Sequence, residues 1–208
     1  MRLVLASNNA KKLAELQALF DGLGVELVRQ GELGVVEAEE PHLTFLENAL
    51  QKARHAAAAT GLPAIADDSG LCVDALGGAP GVVSAVYAPI DLAAAPREEQ
   101  RALQDAANND LLLARLAGVD DRRAAFMCTL VALRAADDPQ PLVATGRWQG
   151  EILRERQGAG GFGYDPLMFI PDFGATVAEL AQDVKNAHSH RARAAAQMRA
   201  LMRDAWRP

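Results

Sequence analysis

The sequence is poor in cysteine and has no long apolar run. It contains two cysteines, Cys72 and Cys128, and one far-separated pair matches neither a disulfide framework nor the spacing of a metal site. We therefore expect both to be buried thiols in a reducing compartment. Nowhere do roughly 18 uncharged apolar residues run together, and the N-terminus has no segment of signal-peptide type. The sequence thus favours a cytoplasmic protein that does not enter a membrane.

Positive charge is in deficit, and lysine is the scarcer cation. The 21 Lys and Arg residues are outnumbered by 27 Asp and Glu residues, which gives a formal net charge of −6. This balance argues against a general nucleic-acid or anionic-membrane binder. Only four of the cations are lysine and 17 are arginine, so each lysine is a candidate for a specific role. Any bound polyanion has to be met by a local positive patch, and the lysines lie at Lys11, Lys12, Lys52 and Lys185.

What is present is the pattern of a globular α/β protein. The chain has 208 residues, of which 50% are hydrophobic and 23% charged, as in ordinary folded domains. This length favours one large domain or one domain with two lobes. Apolar periodicity and turn residues predict strands over 2–6, 25–28, 64–66, 71–73, 124–135 and 142–148, the last two paired. Capping residues and helical spacing predict helices after 7–9 and over 44–60, 98–116 and 189–205, the last with Ala195, Met198, Leu201 and Met202 facing inward.

Two adjacent carboxylates, Asp67 and Asp68, lie between the short strands predicted over 64–66 and 71–73. Adjacent carboxylates repel each other unless a cation or a proton relieves the repulsion. Since successive side chains of a strand face opposite ways, only one of the two needs to face a site. Carboxylate oxygens suit a hard cation such as Mg²⁺, and Glu40 offers a further one from an acidic, irregular segment. A turn in which Asp67 binds its own backbone remains an alternative.

The turn Ser7-Asn8-Asn9 and the helix that follows form a candidate anion site. Free backbone N–H groups and the helix dipole attract anions at such a position. Lys11 and Lys12 stand in the first turn, where the dipole disfavours cations, which indicates a bound anion or a solvated pair. Lys52 shares a helix face with Asn48 and is a second candidate, although a surface lysine is the ordinary alternative.

A glycine-rich segment, Gly158-x-Gly160-x-x-Gly163, matches the dinucleotide-binding fingerprint by letter but not by context. Tyr164-Asp165-Pro166 follows, so no helix begins where the fingerprint requires one. The remaining interpretations are a structural loop or a loop that approaches a flat ligand and stacks Phe162 and Tyr164 on it. Further on, Ser189 is a natural N-cap with His190 and Arg191 in the first turn, and no zinc-ligand spacing accompanies them.

Six ordered motifs together resemble the non-canonical purine NTP pyrophosphatases, the enzymes that clear ITP, dITP and XTP. The resemblance extends from Leu3 to about Leu201, and residues 90–121 contain no recognisable signature. The motifs are Ser7-Asn8-Asn9 with Lys12, Thr44-Phe45-x-Glu47-Asn48-Ala49-x-x-Lys52-Ala53, Ala66-Asp67-Asp68-Ser69-Gly70-Leu71, Gly78-Ala79-Pro80-Gly81 with Ser84-Ala85, Gly161-Phe162-Gly163-Tyr164-Asp165-Pro166, and Lys185 with Ser189-His190-Arg191.

The resemblance implies a fold, an activity and a set of site residues. The implied fold is one domain over residues 1–208, with an elongated mixed central sheet flanked by helices and two lobes around a central cleft, usually as a homodimer. The implied activity is Mg²⁺-dependent hydrolysis of a nucleoside triphosphate to the monophosphate and pyrophosphate. Asp68 is the implied catalytic carboxylate, and Asp68 and Glu40 are the implied metal-associated acids. The implied substrate-binding residues are Ser7, Asn8, Asn9, Ala10, Lys11, Lys12, Lys52, Ser69, Phe162, Gly163, Tyr164, Asp165, Lys185, His190 and Arg191.

The chemistry of these residue types agrees with the implied reaction. An aspartate with its reference pKa of about 3.9 is ionised at neutral pH and orients or deprotonates a water. Donors from His190 and Arg191 that face a 6-oxo group would reject adenine, although the device that rejects GTP is not evident. Two alternatives stay open: a pyrophosphatase with a shifted base preference, and a nucleotide-binding regulatory module without turnover.

Overall fold

The computed structural model describes residues 1–93 and 95–206, without the side chains of residues 10, 11, 97 and 98. Its strands form a mixed seven-stranded sheet in the order β2-β1-β3-β4-β5-β6-β7. The strands are β1 (Arg2–Leu5), β2 (Glu26–Arg29), β3 (Ala64–Val73), β4 (Arg123–Leu133), β5 (Leu142–Ile152), β6 (Met168–Ile170) and β7 (Ala175–Thr176). The α-helices are α1 (Ala10–Leu19), α2 (Phe45–Thr60), α3 (Arg97–Arg115), α4 (Gln182–His188) and α5 (His190–Ala205).

The sheet is mixed because its two ends differ in strand direction. At one end β1 pairs in parallel with both β2 and β3. At the other end β6 pairs antiparallel with β5 and with β7. The predicted α/β fold with a mixed sheet flanked by helices is therefore confirmed.

The chain forms two compact units, each with its own apolar core. Unit 1 consists of Met1–Asp68, Cys128–Arg147 and Asn186–Pro208, and unit 2 of Ser69–Met127 and Trp148–Lys185. In the part of the chain that the structure describes, no helix has the length and apolar character needed to cross a bilayer.

In unit 1 the alternation of strand side chains sorts the core into two layers. Leu3 and Leu5 of β1 pack in one cluster with apolar residues of α1 and α5. Val4 and Ala6 pack in the other, against the alanines of α2. Because successive strand residues face opposite ways, one short apolar run fills both layers. Unit 1 is thus a sheet with helices on both faces.

In unit 2 the core is built by β-strand residues, α3 and the segment after β5. Leu71 and Leu112 are fully buried in it, together with Trp148 and the ring of Tyr164. The polar side chains on the buried part of α3 bind neighbouring backbone, as Asn108 does when its Oδ1 accepts from the N–H of Ala88 at 2.8 Å. Helix α3 therefore packs its apolar side chains in the core and hydrogen-bonds neighbouring backbone through its buried polar side chains.

Most of the predicted elements are confirmed, including the two capped helices. Thr44 Oγ1 accepts from the N–H of Glu47 at 3.2 Å where α2 begins. Ser189 Oγ accepts from the N–H of Ala192 at 3.1 Å where α5 begins. The helix predicted over 98–116 is α3, and the strands predicted over 124–135 and 142–148 are the neighbours β4 and β5. The predictions did not include α4, β6 and β7.

Three predictions about local structure are wrong. The two short strands and the turn between them are one continuous strand, β3, which runs through Asp67 and Asp68. Leu201 does not face inward on α5, since 36% of it is exposed. Of the two free thiols, Cys128 is buried as expected, whereas Cys72 is only half-buried.

Candidate active site

Asp67 and Asp68 lie on opposite faces of β3. Ile65, two residues before Asp67, belongs to the core layer of α1 and α5. Ala66, two residues before Asp68, belongs to the layer of α2. Strand alternation therefore directs Asp67 to the first layer and Asp68 to the second. Both aspartates are buried, with 2% and 6% of their surfaces exposed, and each depends on its own layer for a counter-charge.

Asp67 is neutralised by two cations. Lys12 Nζ of α1 donates to Asp67 Oδ1 at 2.9 Å, and Arg191 Nη2 of α5 lies 3.5 Å from Asp67 Oδ2. Arg191 is itself buried and donates through Nη1 to Glu15 Oε2 at 2.8 Å. Burial alone would raise the pKa of Asp67, but Lys12, Arg191 and Lys52 outweigh it and lower that pKa below its ordinary value. Asp67 is therefore a permanently charged member of a buried ion-pair network.

Asp68 has a less favourable electrostatic environment. Lys52 Nζ of α2 donates to Asp68 Oδ1 at 3.2 Å, and Asn48 Nδ2 donates to Asp68 Oδ2 at 3.3 Å. Burial raises the pKa of Asp68 and so does the charge of Glu40, while Lys52 lowers it, and the result is a pKa of about 6. Asp68 is thus mostly ionised at neutral pH, as predicted, but its pKa lies well above the reference value. A carboxylate with this pKa accepts a proton far more readily than an exposed aspartate.

Lys52 connects Asp68 to Glu40. Its Nζ donates to Glu40 Oε2 at 3.0 Å as well as to Asp68, and the lysine is 8% exposed. Burial by itself would lower the pKa of Lys52, but the charges of Asp68, Asp67 and Glu40 outweigh it and raise that pKa. The ammonium is therefore charged throughout the physiological range. The structure brings Lys52 together with Asp68 and Glu40, the two acids that the resemblance associates with a metal.

The oxygens of Glu40 and Asp68 fit a divalent cation as a pair. The carboxylates of Glu40 and Asp68 both contact the ammonium group of Lys52, so they lie around one positive charge. Mg²⁺ is commonly held by one or two carboxylates and completes its octahedron with water and phosphate oxygens. Among the described residues no group of three or more His, Cys, Asp or Glu side chains is arranged to hold a metal ion. A pair of carboxylates is a donor set that suits an ion shared with phosphate oxygens.

The turn before α1 is held by its own polar side chains. Ser7 Oγ accepts from the N–H of Asn9, and Asn9 Oδ1 accepts from the N–H of Lys12, both at 3.2 Å. Asn8 is exposed, and its N–H donates to Glu37 Oε1 at 3.3 Å. The side chains of Ala10 and Lys11 lie outside the described part of the chain, so their predicted substrate contacts stay predictions.

In unit 2 the predicted glycine-rich loop places Phe162 at the surface. Phe162 is 42% exposed. Lys185 Nζ lies 5.9 Å from the centre of the Phe162 ring and donates to Asp165 Oδ2 at 2.8 Å. Asp165 is buried and also accepts from the N–H of Phe162 at 3.2 Å. The loop thus places the ring of Phe162 beside the ammonium group of Lys185, whose charge is neutralised by Asp165.

Two residues of the predicted substrate-binding set have side chains that are bound within the protein. The ring of Tyr164 is 4% exposed and its hydroxyl donates to the carbonyl of Ser84 at 2.9 Å, so the ring packs in the core of unit 2. Arg191 directs its Nη groups at Glu15 and Asp67, whereas the prediction directs them at a base. His190 is half-buried at the first position of α5, and Ser69 is half-buried on β3 after Asp68.

Sequence reasoning missed several residues that position the site. Glu15, the partner of Arg191, stands three residues after Lys12 on α1, and this helical spacing was a usable signal. Asp105 and Asn109 of α3 bind the glycine-rich loop, and no local pattern indicates that contact. Gly163 N–H donates to Asp105 Oδ2 at 2.9 Å, and Asn109 Nδ2 donates to the carbonyl of Gly163 at 2.8 Å.

Comparison with known proteins gives consistent matches over almost the whole chain. The Ham1 family model matches residues 3–201. A dITP/XTP pyrophosphatase of Methylibium petroleiphilum is 70% identical over 206 residues, covering 99% of each chain. Another of Burkholderia pseudomallei is 61% identical over 191 residues, covering 92% of this chain and 88% of the other.

Solved structures agree with the sequence matches. A HAM1 protein from Coxiella burnetii superimposes with a TM-score of 0.87 at 43% identity, covering 99% of this chain and 100% of the other. A nucleoside-triphosphatase, also called dITP/XTP pyrophosphatase, from Mycobacterium abscessus superimposes with a TM-score of 0.73 at 41% identity, covering 95% of this chain and 97% of the other. The whole described fold therefore has close structural relatives.

Proposed function

The chain belongs to the Ham1 family, and from this premise we propose that it hydrolyses non-canonical purine nucleoside triphosphates, namely ITP, dITP and XTP, to the monophosphate and pyrophosphate. A relative that is 70% identical over 99% of this chain has the name dITP/XTP pyrophosphatase. The structural observation that supports the activity most directly is the contact of the buried Asp68 and Lys52 with each other and with the exposed Glu40. The enzyme is a hydrolase that acts on the bond between the α and β phosphates.

Asp68 is the group that activates water in this proposal. With a pKa of about 6 it is mostly unprotonated at pH 7, yet basic enough to take a proton from an attacking water. The water oxygen forms a bond to the α phosphorus, its proton passes to Asp68, and the bond to the bridging oxygen breaks to release pyrophosphate. Asn48 and Lys52 fix the orientation of the carboxylate through one hydrogen bond to each oxygen.

Charge neutralisation is the second requirement of the reaction. Phosphoryl transfer needs mainly positioning and compensation of the charge on the phosphate oxygens. Lys52 remains an ammonium group because of its acidic neighbours, and Lys12 lies at the turn where an anion is expected. We propose that Glu40 and Asp68 hold Mg²⁺, which when bound supplies further positive charge to the phosphates.

The remaining predicted contacts concern the base and the phosphates. Phe162 offers an exposed aromatic face, and Lys185 and Asp165 lie next to it. We propose that this loop, with Ser69 and His190, binds the nucleoside, and that Ser7, Asn8 and Asn9 with the Lys11 position bind phosphate. By the same family resemblance we propose a homodimer, and the free thiols favour the cytoplasm as its compartment.

A substrate panel tests the proposal. We expect pyrophosphate release from ITP and XTP, in the presence of Mg²⁺, at a kcat/KM at least tenfold above that for ATP and GTP. Asp68→Asn should abolish turnover while circular dichroism shows a folded protein. Equal rates on all purine triphosphates would contradict the base preference. Tight binding of ITP without turnover would instead support a regulatory module.

The pH profile is a further check on the role of Asp68. At Mg²⁺ concentrations far below saturation, the pKa of about 6 predicts that kcat/KM for ITP falls as the pH drops below that value. Because a cation held by Asp68 opposes its protonation, the midpoint should move to lower pH as Mg²⁺ approaches saturation. A profile that is flat down to pH 5 at every Mg²⁺ concentration, or a midpoint that Mg²⁺ does not move, would contradict this role of Asp68.

A further inference from the structure

We infer that Asp105 and Asn109 of α3 are positioning residues. They hold the glycine-rich loop, which carries Phe162, in the conformation needed for base recognition. The inference rests on the proposed function, because it assigns the exposed Phe162 ring to the base. It concerns the part of the chain, residues 90–121, in which the sequence shows no functional signature.

The contact is made on a single residue of the loop. Gly163 lies between Phe162 and Tyr164 and has a φ of 60°, in the left-handed region. Its N–H donates to Asp105 Oδ2 at 2.9 Å and its carbonyl accepts from Asn109 Nδ2 at 2.8 Å. Both backbone groups of one residue are therefore bound by side chains of α3. Residues four apart on a helix lie on the same face, which explains how this pair reaches the N–H and the carbonyl of one residue.

The two side chains are themselves fixed. Arg101 Nε pairs with Asp105 Oδ1 at 3.1 Å, which leaves Oδ2 for the Gly163 N–H. Asn109 is 3% exposed and its Nδ2 also donates to the carbonyl of Asp105 at 2.6 Å. A carboxylate held through one oxygen and a buried amide held through one donor have little freedom left, so they define the position of the loop.

The loop that they hold carries the exposed ring of Phe162. A loop with a purely structural role does not require an exposed aromatic ring. The N–H of Phe162 is bound by Asp165, and the residue that follows Gly163 is anchored in the core through the Tyr164 hydroxyl. The Phe162 side chain nevertheless remains 42% exposed. An exposed aromatic ring on a loop whose backbone is hydrogen-bonded at Phe162 and Gly163 loses little entropy when it binds a flat ligand. This preorganisation is what the α3 contacts provide.

Steady-state kinetics of three α3 variants test the inference. In Asp105→Ala the Gly163 N–H loses its acceptor, and we expect KM for ITP to rise about tenfold, equivalent to about 1.4 kcal/mol, with kcat within about twofold. Asp105→Asn keeps an acceptor oxygen and should stay within about threefold of the parent enzyme. Asp110→Ala is the matched control, because Asp110 is on the same helix but pairs with Arg156 at 2.8 Å and is exposed; its KM should not change.

A second probe separates loop positioning from general damage. Inorganic tripolyphosphate lacks a base, so its inhibition constant should be the same in Asp105→Ala and the parent enzyme. A double-mutant cycle with Phe162→Ala should show that the Asp105→Ala effect on KM largely disappears when the ring is absent. An equal rise of KM and of the tripolyphosphate constant, or additive effects in the cycle, would overturn the inference.

Hydrogen exchange supplies a readout that does not depend on activity. Peptides that cover residues 158–166 should exchange faster in Asp105→Ala and in Asn109→Ala than in the parent protein without ligand, and unchanged exchange would overturn the inference. If Asp105→Ala does not fold, Asn109→Ala and Asp105→Asn still test the contact through the same measurements. Failure of the parent enzyme to hydrolyse ITP would refute the proposed function, whereas the exchange experiment would still decide whether α3 holds the loop.

Discussion

Adjacent aspartates on β3 have opposite roles in the free energy of the protein. Asp67 is surrounded by Lys12 and Arg191, so its ionised form stabilises the fold. Asp68 is buried next to Glu40 with Lys52 as its main compensating charge, so its ionised form is disfavoured relative to the unfolded chain. Groups whose surroundings push their pKa values apart are typical of active sites. The difference predicts opposite effects of two neighbouring substitutions.

We expect Asp68→Asn to stabilise the protein at neutral and alkaline pH. The folded pKa of about 6 exceeds the ordinary value of 3.8, so ionisation of Asp68 lowers stability as the pH rises through this interval. Removing the charge should raise the free energy of unfolding by roughly 1 to 3 kcal/mol at pH 8, with no gain below about pH 4. Urea unfolding at several pH values in the absence of divalent cations measures this difference.

Asp67→Asn is the matched control with the opposite sign. It removes the charge that compensates Lys12 and Arg191 and should lower the free energy of unfolding at pH 8 by about 3 kcal/mol. Because the pKa of Asp67 is lowered in the folded protein, this loss should shrink as the pH falls below about 4. If both variants change stability in the same direction at pH 8, the assignment of the two faces is wrong.

At the residue scale the sequence predicts which side chains matter better than it predicts their partners. The sequence itself shows that Asp67 and Asp68 are adjacent and that lysine is scarce. It also shows the helical spacing of Asn48 and Lys52. The pairing of Arg191 with Glu15 and Asp67 joins three elements that are far apart in the chain. The sequence does not show that pairing, and an arginine in the first turn of a helix is then interpreted as a group that binds an anion or a base.

At the scale of elements, β3 shows how tertiary contacts override local propensity. Asp, Ser and Gly in succession favour a turn over residues 67–70. In the structure β3 lies between β1 and β4 in the sheet, and the charges of its aspartates are met by cations from α1, α2 and α5. The cost of extending this segment is therefore offset by contacts that the sequence pattern does not contain. Helices α2 and α5 were predicted correctly because their caps are local.

The packing of α5 on β5 depends on Gly146. A Cβ at this position would overlap the carbonyl oxygen of His190 and lie 2.6 Å from the backbone nitrogen of Ala194. Since backbone atoms cannot move aside as a side chain does, Gly146→Ala should lower the free energy of unfolding by about 1 to 3 kcal/mol. Thermal unfolding of this variant and of Thr145→Ala, on the exposed face of the same strand, measures the effect. The control should stay within about 0.5 kcal/mol of the parent protein, and an equal loss in both variants would contradict the close packing.

At the scale of the molecule, the net charge of −6 and the few lysines define which anions are accepted. A large polyanion experiences the repulsion of the whole surface, whereas a triphosphate meets only the cations at its site. We therefore expect inorganic tripolyphosphate to inhibit ITP hydrolysis competitively at about 150 mM salt. Double-stranded DNA at the same phosphate concentration should not inhibit, and inhibition by DNA would contradict this interpretation.

The fold class was predictable because each layer of unit 1 follows from short-range patterns. The alternation in β1 and the alanines of α2 specify a sheet with helices on both faces. The division into two compact units was not predictable in the same way, since each unit collects segments from distant parts of the chain. The chain length leaves one large domain or one domain with two lobes open, and the resemblance implies the two-lobed arrangement.

The position of Asp68 on a central strand has a mechanical consequence. A carboxylate on a surface loop moves with the loop, and its distance to a reacting atom varies with every local opening. Asp68 is part of a strand flanked by β1 and β4, so its backbone moves only as far as the sheet moves. The geometry of this proposed catalytic carboxylate should therefore persist on warming until the sheet itself melts.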